Sequence, residues 1–562
     1  MKKTRKLLAL TIAVLMCLSL MAACGNSDTK DSPSASASTE ASASTAPSAS
    51  TSASAAPSNS APASTTPPPA PTSTITAGAA PTSDTVRYAE EINILTDGMS
   101  VPALNPYVAG GGGAPACVWS FNLMYDRLCL MQEPGVYVPY LATSWETDDL
   151  QTFIFHLRDD VYFQNGEKFT AKDVAFSVNY GKEQVGSPAA NTWNWVDEVT
   201  VIDDYTVQML LTSPSVDFIF RVSQPTVGII CEKAVTADPD EGVWIGTGAY
   251  KLTEFVANNY WVFERNDNYF LEPAITRKIT MRQIPEVATR SMMLLNGDAQ
   301  ICFRISAEDL ELFENNPDFQ PLTFVLNNPS PLYFNCEDPV TGDINFRRAV
   351  NAGLVRADIA AAMGGNTVLP AYESEVWGFA TEFRNPNIPK VVEDEELAKE
   401  YLAASSYAGQ EVEIACTASL TAEIIQMQLE RIGIKTTINV MDNPAITPYM
   451  AWGNNQSQLS TAGMGLVLSA SGIRGYVYPG LNRSSYTNME VADLLDRAAI
   501  EEDDNTRRDL YYEVQRIVAE DLPYINVTYG INPVIAVKGI GGFELWPDAL
   551  YNLRYVYWDL DA

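Results

Sequence analysis

The clearest alternation of polar and apolar positions falls at Thr152–Leu157, where the letters TFIFHL place every second side chain on one face. That period of two predicts a β-strand with one buried face. The dipeptide Asn165-Gly166 favours a tight turn, and Thr170 with Asp173 three residues later has the pattern of a capping box. Val161 and Phe163 continue the alternation, so the stretch predicts a strand, a second strand that leads into the turn, and a capped helix in quick succession.

Apolar residues at helical spacing predict four helices in the second half of the chain, because a period near 3.6 marks a helix with one buried face. They lie at about 395–404, 423–431, 490–501 and 507–520. Gly433 is placed to end the second of them, and 435–440 then has the pattern of a strand. Helices and strands in one segment favour a mixed α/β fold.

The first 23 residues have the pattern of an export signal. Four cations fall within residues 2–6, and an apolar stretch of about 14 residues follows at 7–20, too short for a membrane span of about 20 residues. The letters MAAC at 21–24 resemble a lipobox, after which Cys24 would carry the lipid anchor of the mature protein. The alternative is an ordinary cleaved signal followed by a cysteine without a role.

Residues 24–85 are almost entirely Ser, Ala, Thr and Pro. Such a composition buries too little apolar surface to offset the entropy of ordering, so we expect a disordered tether. Fully extended, its roughly 60 residues would reach on the order of 180 Å. A tether of that length suits a protein held on the outer face of the cell membrane in a bacterium with a single membrane and a thick wall.

The formal net charge is −33, and it falls to about −37 once the four cations of the signal are removed. Nucleic-acid binding needs a basic footprint, so this charge excludes nucleic acid as a partner. The residues after the tether, 86–562, are enough for a large core and too many for one compact layer.

Six cysteines follow the tether. They are Cys117, Cys129, Cys231, Cys302, Cys336 and Cys416. Their scattered positions contain no C-x-x-C spacing, which argues against a zinc site. Export permits disulfides, but a chain of this size does not need them. We expect mostly buried thiols, with at most one disulfide.

The chain contains a single histidine, His156, in the middle of the predicted strand. Ser-His-Asp or Cys-His catalysis would have to use it, and a histidine-rich metal site is impossible. The phosphate-binding pattern G-x-x-x-x-G-K-[ST] is absent from the sequence as well. We therefore expect no enzymatic activity, no metal site and no cofactor.

The stretch 139–180 also carries a longer pattern, with the segments PYLATSW, FHLRDDVYF and GEKFTAKDV. It resembles the signature of the extracellular solute-binding proteins of family 5, the peptide, nickel and oligosaccharide receptors of ABC importers. Further matches follow in order along the chain. They are LMYDRL at 123–128, GTGAYKL at 246–252, ERNDNYF at 264–270, FRRAV at 346–350 and the run at 504–523. The resemblance covers essentially all of 86–562.

This resemblance implies an α/β fold with two lobes, like that of periplasmic binding proteins, in which a hinge joins the lobes and an extra subdomain is inserted. The implied segments are lobe I at 86–131, 244–325 and 529–562, the inserted subdomain at 132–243, and lobe II at 326–528.

The resemblance also implies a function. A ligand that binds between two lobes stabilises their closed form, which a membrane permease can recognise. We therefore expect a monomeric, lipid-anchored receptor that delivers peptides or peptide-like solutes to the permease and ATPase of an ABC importer. An oligosaccharide receptor of the same fold and a sensory surface protein without a transport role stay open as alternatives.

The ligand itself is less well specified. Peptide-binding relatives often carry GW-x-x-D in lobe II, whose aspartate meets the amino group of the peptide. The matching stretch here, 463–472, is GMGLVLSASG and lacks both the tryptophan and the aspartate. Six other residues are expected to contact the ligand. They are Trp119, Asn122, Arg304, Trp377, Arg474 and Tyr476. For the aromatic residues, packing in a core is the competing interpretation.

Overall fold

We describe the fold from a computed structural model of the chain. The structure describes residues 86–98, 104–108, 115–133, 135–364, 368–372, 383–461, 470–545 and 551–562. The predicted signal, Cys24 and the tether up to residue 85 lie outside these ranges. Trp377 and most of the stretch 463–472 lie outside them as well.

The strands of the described residues have the following bounds. They are β1 (Glu91–Thr96), β2 (Cys129–Glu133), β3 (Val136–Pro139), β4 (Ala142–Glu146), β5 (Thr152–Leu157), β6 (Val196–Asp203), β7 (Thr206–Leu211), β8 (Tyr250–Val256), β9 (Tyr260–Arg265), β10 (Lys278–Gln283), β11 (Ile301–Phe303), β12 (Phe319–Phe334), β13 (Val368–Pro370), β14 (Glu411–Cys416), β15 (Lys435–Val440), β16 (Leu459–Thr461), β17 (Tyr524–Val537), β18 (Ile540–Gly541), β19 (Glu544–Leu545), β20 (Tyr551–Asn552) and β21 (Tyr557–Trp558).

The α-helices of the same ranges lie between these strands. They are α1 (Pro115–Met124), α2 (Ala171–Glu183), α3 (Pro188–Trp193), α4 (Phe218–Val222), α5 (Glu232–Ala237), α6 (Val287–Leu295), α7 (Ala307–Glu314), α8 (Ile344–Gly353), α9 (Arg356–Ala362), α10 (Glu395–Ala403), α11 (Ser419–Arg431), α12 (Asn443–Tyr449), α13 (Arg474–Val477), α14 (Met489–Ala498) and α15 (Asp504–Asp521).

The strand and the capping box predicted at residues 152–173 are confirmed, but the second strand is not, because the segment around Val161 and Phe163 forms an isolated bridge between Tyr162 and Lys168 instead of a strand. The side chains of β5 alternate between buried and half-buried positions, as the period of two predicts. The Thr170 N–H donates to the Asp173 carboxylate at 2.9 Å, which is the expected capping-box contact at the start of α2.

All four predicted helices of the second half exist, as α10, α11, α14 and α15, and the predicted strand is β15. Gly433 follows α11 with a φ of +97°, a conformation that favours glycine. Three helix ends differ from the prediction by three residues or more: α11 begins at Ser419, α14 ends at Ala498 and α15 begins at Asp504. The carbonyl that follows α14, that of Ala499, accepts the Val216 N–H at 3.0 Å, a tertiary contact that no local pattern contains.

One mixed sheet of eleven strands passes through the whole described body. Its order is β15-β14-β16-β12-β17-β11-β1-β10-β9-β8, and β13 pairs with β17 off this path. Strands from the first part of the chain, with β1 and β8–β11, lie on one side of β12 and β17, and we call that part lobe I. Strands β14–β16 lie on the other side, in the part that we call lobe II. The predicted two-lobed α/β fold is thus confirmed.

The β12–β17 ribbon is the antiparallel pair that joins the lobes. Near lobe I, Phe319–Val325 pairs with Ile531–Val537, and near lobe II, Ser330–Tyr333 pairs with Tyr524–Thr528. The register shifts between Val325 and Pro329 and again between Ser330 and Pro331. Proline has no N–H to donate, so the ladder is weakest there.

Separate cores fill the two lobes. The largest one combines residues of β1 and β9 with Phe153 and Phe155 of β5. We give the name inserted subdomain to the four-stranded sheet β4-β5-β7-β6 together with β3 and residues 212–222. It shares its core with lobe I. In lobe II, Tyr333 belongs to one core, whereas its neighbours Leu332 and Phe334 belong to another, because successive side chains of β12 point to opposite faces.

The six cysteines agree with the expectation of buried thiols. Five are buried and Cys336 is half-buried, and in the described ranges all six carry thiols rather than disulfides. Burial raises the pKa of the Cys129 and Cys302 thiols to about 12. Such thiols are protonated at neutral pH and unreactive.

A buried polar cluster ties the end of the chain to lobe I. Arg554 is 5% exposed, and its Nη1 donates to the hydroxyl of Tyr269 at 2.5 Å and contacts that of Tyr140. The Tyr269 hydroxyl in turn donates to Asp126 Oδ1 at 3.1 Å, and the Thr247 hydroxyl donates to Asp126 Oδ2 at 2.9 Å. Burial raises the pKa of the Asp126 carboxyl, and the nearby Arg554 charge opposes that rise.

Replacement of Arg554 tests how much this cluster contributes to the stability of the folded protein. Arg554→Met leaves Asp126 buried without its cation, so we expect the free energy of unfolding to fall by about 3–5 kcal/mol. Chemical denaturation monitored by circular dichroism measures the change. Arg87→Met, which removes an exposed ion pair with Asp561, is the control and should leave the midpoint nearly unchanged. Equal effects of the two substitutions would contradict a special role for the cluster.

Candidate functional site

The candidate site lies where lobe I borders the β12–β17 ribbon. Strands β1 and β11 are parallel neighbours, and β11 pairs with β17 of the ribbon. In open α/β sheets, ligands bind beyond the carboxyl ends of parallel strands. Asp97 follows β1 and Arg304 follows β11, and Arg304 Nη1 lies 3.0 Å from Asp97 Oδ2. Both side chains are partly exposed, so a charged pair marks this edge of lobe I.

The backbone around Arg304 is held in an uncommon conformation. Its φ is +55°, in the left-handed region that non-glycine residues seldom adopt. The Arg304 carbonyl accepts a hydrogen bond from Arg290 Nη2 at 2.8 Å. Arg290 is 2% exposed and also donates to the carbonyls of Ile284 and Pro285, beyond the end of β10. One buried guanidinium thus fixes the turns after two strands and the position of Arg304.

Trp119 and Asn122 lie on α1, three residues apart and therefore on neighbouring positions of one helix face. The Trp119 ring is 2% exposed and packs against Phe303, the last residue of β11, with 4.2 Å between ring centroids. Asn122 is half-buried, and its Nδ2 is buried without a hydrogen-bond partner. A buried unpaired amide costs free energy, so this group is suited to bind an acceptor.

Arg474 and Tyr476 lie on the other side of the ribbon, in α13 of lobe II. Arg474 Nη2 is 2.5 Å from Asp496 Oδ1, and its guanidinium lies 3.7 Å from the centroid of the Tyr478 ring. The structure thus gives Arg474 a carboxylate partner within its own lobe. Tyr476 is half-buried and packs against the lobe II core that contains Tyr333.

The structure therefore places the described candidates in two groups. Trp119, Asn122 and Arg304 belong to lobe I, where Phe303 links the tryptophan to the arginine. Arg474 and Tyr476 share a helix of lobe II. Trp377, the sixth candidate, lies outside the described residues.

A contact that the sequence analysis missed connects the inserted subdomain to lobe II. The Val216 N–H donates to the Ala499 carbonyl at 3.0 Å. Next to this bond is a crevice of about 180 Å³ whose walls include Tyr137 and Asp217 from the subdomain and Phe383 and Arg507 from lobe II. No sequence signal could have found it, because the two sides are almost 300 positions apart.

Asp217 is the charged residue that the subdomain contributes to this crevice. Burial raises the pKa of its carboxyl, and the charges of Arg221, Arg507 and Arg474 and a hydrogen bond from Ser471 oppose that rise. Arg221 comes from the subdomain, whereas Arg474 and Arg507 come from lobe II. The Asp217 carboxylate is therefore close to arginines of the inserted subdomain and of lobe II.

Catalytic and metal-binding arrangements were sought over the same ranges. The His156 imidazole is partly exposed and has Glu146 at 3.6 Å, far along the sequence from the candidate residues. No group of three or more His, Cys, Asp or Glu side chains in the described part of the chain is arranged to hold a metal ion. Among those residues, no helix has the length and apolar character needed to cross a bilayer.

Comparison with protein families gives one decisive match. The model of the bacterial extracellular solute-binding proteins, family 5 Middle, matches residues 136–476, more than half of the chain. The chain belongs to this family. Family 5 consists of solute-binding proteins and not of enzymes, in line with the prediction that the chain performs no catalysis.

Curated relatives share moderate identity. The nickel-binding periplasmic protein of Escherichia coli K12 is 28% identical over 271 residues, which cover 45% of this chain and 49% of that protein. The glutathione-binding protein GsiB of the same strain is 23% identical over 493 residues, or 83% of this chain and 94% of that protein. The peptide transport periplasmic protein SapA of Haemophilus influenzae is 23% identical and covers 81% and 91%.

Solved structures support the same fold. A putative peptide-binding protein, AppA, from Clostridium difficile superposes with a TM-score of 0.74 at 22% identity, covering 84% of this chain and all of that one. NikA from Brucella suis, in complex with Fe(III)-EDTA, gives 0.73 at 19% identity and covers 83% and 99%. Both similarities establish the two-lobed architecture of family 5.

The contact between the subdomain and lobe II can be tested through Asp217. Asp217→Ala removes the buried carboxylate that lies near both Arg221 and Arg507, so we expect the junction to loosen. Hydrogen exchange measured by mass spectrometry should then be at least several-fold faster in a peptide covering 212–222, which contains the Val216 amide. Asp204→Ala, in an exposed turn of the same subdomain, is the control. Unchanged exchange in Asp217→Ala would show that the carboxylate does not hold the junction.

Proposed function

We propose that the chain is a lipid-anchored receptor on the outer face of the cell membrane, which captures peptides or peptide-like solutes between its lobes. The monomeric receptor passes them to the permease and ATPase of an ABC importer. Cys24 carries the anchor, and residues 24–85 form the tether between membrane and receptor. The chain itself changes no covalent bond in the ligand.

The geometry beside the ribbon is the observation that carries this proposal. Arg304 presents a guanidinium that can pair with the carboxylate of a peptide, once it exchanges Asp97 for the ligand. The Asn122 amide offers a buried donor without a partner, which suits a peptide carbonyl. The indole of Trp119 is buried in the core of lobe I against Phe303, which disfavours its use as an exposed platform for sugar rings.

The names of similar proteins support the ligand class. One relative is a glutathione-binding protein and another a peptide transport protein. DppA from Helicobacter pylori, solved in complex with the peptide STSA, superposes with a TM-score of 0.69 at 21% identity. Glutathione and STSA are both short peptides, which is the class that we propose for this chain.

The lobes are proposed to follow the boundaries inferred from the sequence. Lobe I takes 86–131, 244–325 and 529–562, the inserted subdomain takes 132–243, and lobe II takes 326–528. The ligand contacts proposed on the lobe II side are Trp377, Arg474 and Tyr476. Arg474 would then have to leave Asp496 when it meets a ligand carboxylate.

Thermal unfolding in the presence of ligands tests the proposed class. A peptide present at about 100 times its dissociation constant should add about 2.7 kcal/mol to the stability of the folded protein. We expect an upward shift of the midpoint with short peptides, and none with oligosaccharides or nickel chelates. A shift with oligosaccharides or chelates but not with peptides would contradict the proposal.

Arg304 provides the matched variant for this experiment. Arg304→Gln should weaken the binding of a peptide with a free carboxyl terminus on the order of tenfold or more, because a charged hydrogen bond is lost. Binding of the same peptide with an amidated terminus should change little. Arg277→Gln removes an arginine of lobe I that pairs with Glu90, and should affect neither peptide. Equal loss for both peptides would remove Arg304 from carboxylate recognition.

The lipid anchor gives a separate prediction. Cys24→Ala should abolish labelling with a radioactive fatty acid and release the protein from the membrane fraction into the medium. Cys17→Ala, within the apolar segment of the signal, keeps Cys24 and should leave the protein membrane-bound. Membrane retention of Cys24→Ala would contradict anchoring through this residue.

A further inference from the structure

Lobe II carries a second concave site away from the ribbon. A pocket of about 430 Å³ lies between α8, α10, the end of α15 and the segment 385–392. Its volume falls within the range of about 300–1,000 Å³ that is typical of small-molecule sites. None of the residues that line it is a candidate contact of the inter-lobe cleft.

The segment that forms one wall is held in place by hydrogen bonds. The Asn385 N–H donates to Gln515 Oε1 at 2.8 Å, and the Asn385 side chain donates to the carbonyl of Tyr512 at 3.2 Å, both on α15. The Val391 N–H donates to the Tyr372 carbonyl at 2.9 Å. The pocket is therefore built by a loop that is fixed at both ends, as preformed binding sites are.

Two cations face this pocket without a partner of their own. In the ranges that the structure describes, the side chains of Arg348 of α8 and Lys390 of the loop form no hydrogen bond and no ion pair, and neither does the hydroxyl of Tyr401. The only carboxylate of the described lining, that of Glu520, accepts from Arg516 at 2.7 Å and is therefore already paired.

These unpaired groups determine which kind of ligand the pocket can bind. Guanidinium and ammonium groups donate hydrogen bonds and accept none, so their natural ligand is a carboxylate or a phosphate. The chain as a whole carries a net charge of −33, so the unpaired cations of this concave site are not a consequence of its overall charge. Ile388, Val391 and Leu397 add an apolar part to the lining.

We propose that this pocket of lobe II binds a small organic anion, with its carboxylate or phosphate on Arg348 and Lys390 and its apolar part on the loop and α10. The site is distinct from the inter-lobe cleft and does not depend on the identity of the transported solute. An anion bound there bridges α8 of lobe II and the loop that follows Phe383.

Calorimetric titration of the full protein at constant ionic strength tests this site, with hexyl phosphate and inorganic phosphate as the probes. We expect saturable binding of hexyl phosphate, tighter than that of inorganic phosphate. The double variant Arg348→Gln, Lys390→Gln should bind it at least tenfold more weakly, and Tyr401→Phe a few-fold more weakly. Equal affinity for the two phosphates would overturn the organic class of ligand.

A matched control removes the same charge from the same lobe. Lys399 of α10 and Arg508 of α15 lie outside the pocket and pair with neighbouring carboxylates. The double variant Lys399→Gln, Arg508→Gln should retain the affinity of the unmodified protein. Absence of saturable binding to the unmodified protein, or an equal loss in both double variants, would overturn the proposal. The thermal midpoint of each variant shows whether it is folded. If one double variant folds poorly, the single variant Tyr401→Phe still tests the site.

Discussion

The rest of the structure depends on the pairing of β12 with β17. In the described part of the chain, the strands of lobe I and those of lobe II belong to one sheet only because this ribbon lies between them. Its ladder is interrupted where Pro329 and Pro331 stand, since a proline cannot donate to a neighbouring strand. Relative motion of the lobes can therefore concentrate at these residues without breaking a regular ladder. The candidate site lies beside the lobe I half of the same ribbon.

Buried arginines have a shared structural role in this acidic protein. Arg290, Arg347 and Arg356 are almost fully buried, and the first two donate to backbone carbonyls at the ends of strands and helices. Arg356 donates both to backbone carbonyls and to the side chains of Asn351 and Glu393. A guanidinium has five N–H donors in a fixed plane, so one side chain can donate to several carbonyls that would otherwise lack a hydrogen-bond partner. Arg304 depends on this arrangement, because Arg290 holds its carbonyl. The charged pair of Arg304 and Asp97 is thus held in place by hydrogen bonds to uncharged backbone carbonyls.

Local patterns predicted the local structure well. The alternation at Thr152–Leu157, the capping box at Thr170 and the four helices of the second half are all present. Long-range contacts were not predictable, because they depend on residues such as Asp126 and Arg554, which no periodicity relates. The end of α14 was not predictable either, because the Ala499 carbonyl that follows it accepts a hydrogen bond from Val216, which is distant in the sequence. For the candidate site, residue types alone could suggest Arg304 and Trp119 as ligand contacts. Only the fold showed that Trp119 packs against Phe303, the residue before Arg304.

The cluster around Arg554 has a consequence for the biogenesis of the protein. Lobe I is completed by the last residues of the chain: Tyr88 bridges to Asp559, and Arg554 reaches the hydroxyls of Tyr140 and Tyr269. A protein exported with its amino terminus first delivers these residues last. If the chain is exported in this way, as proposed above, the contacts of Arg554 with Tyr140 and Tyr269 form only after residue 554 has crossed the membrane.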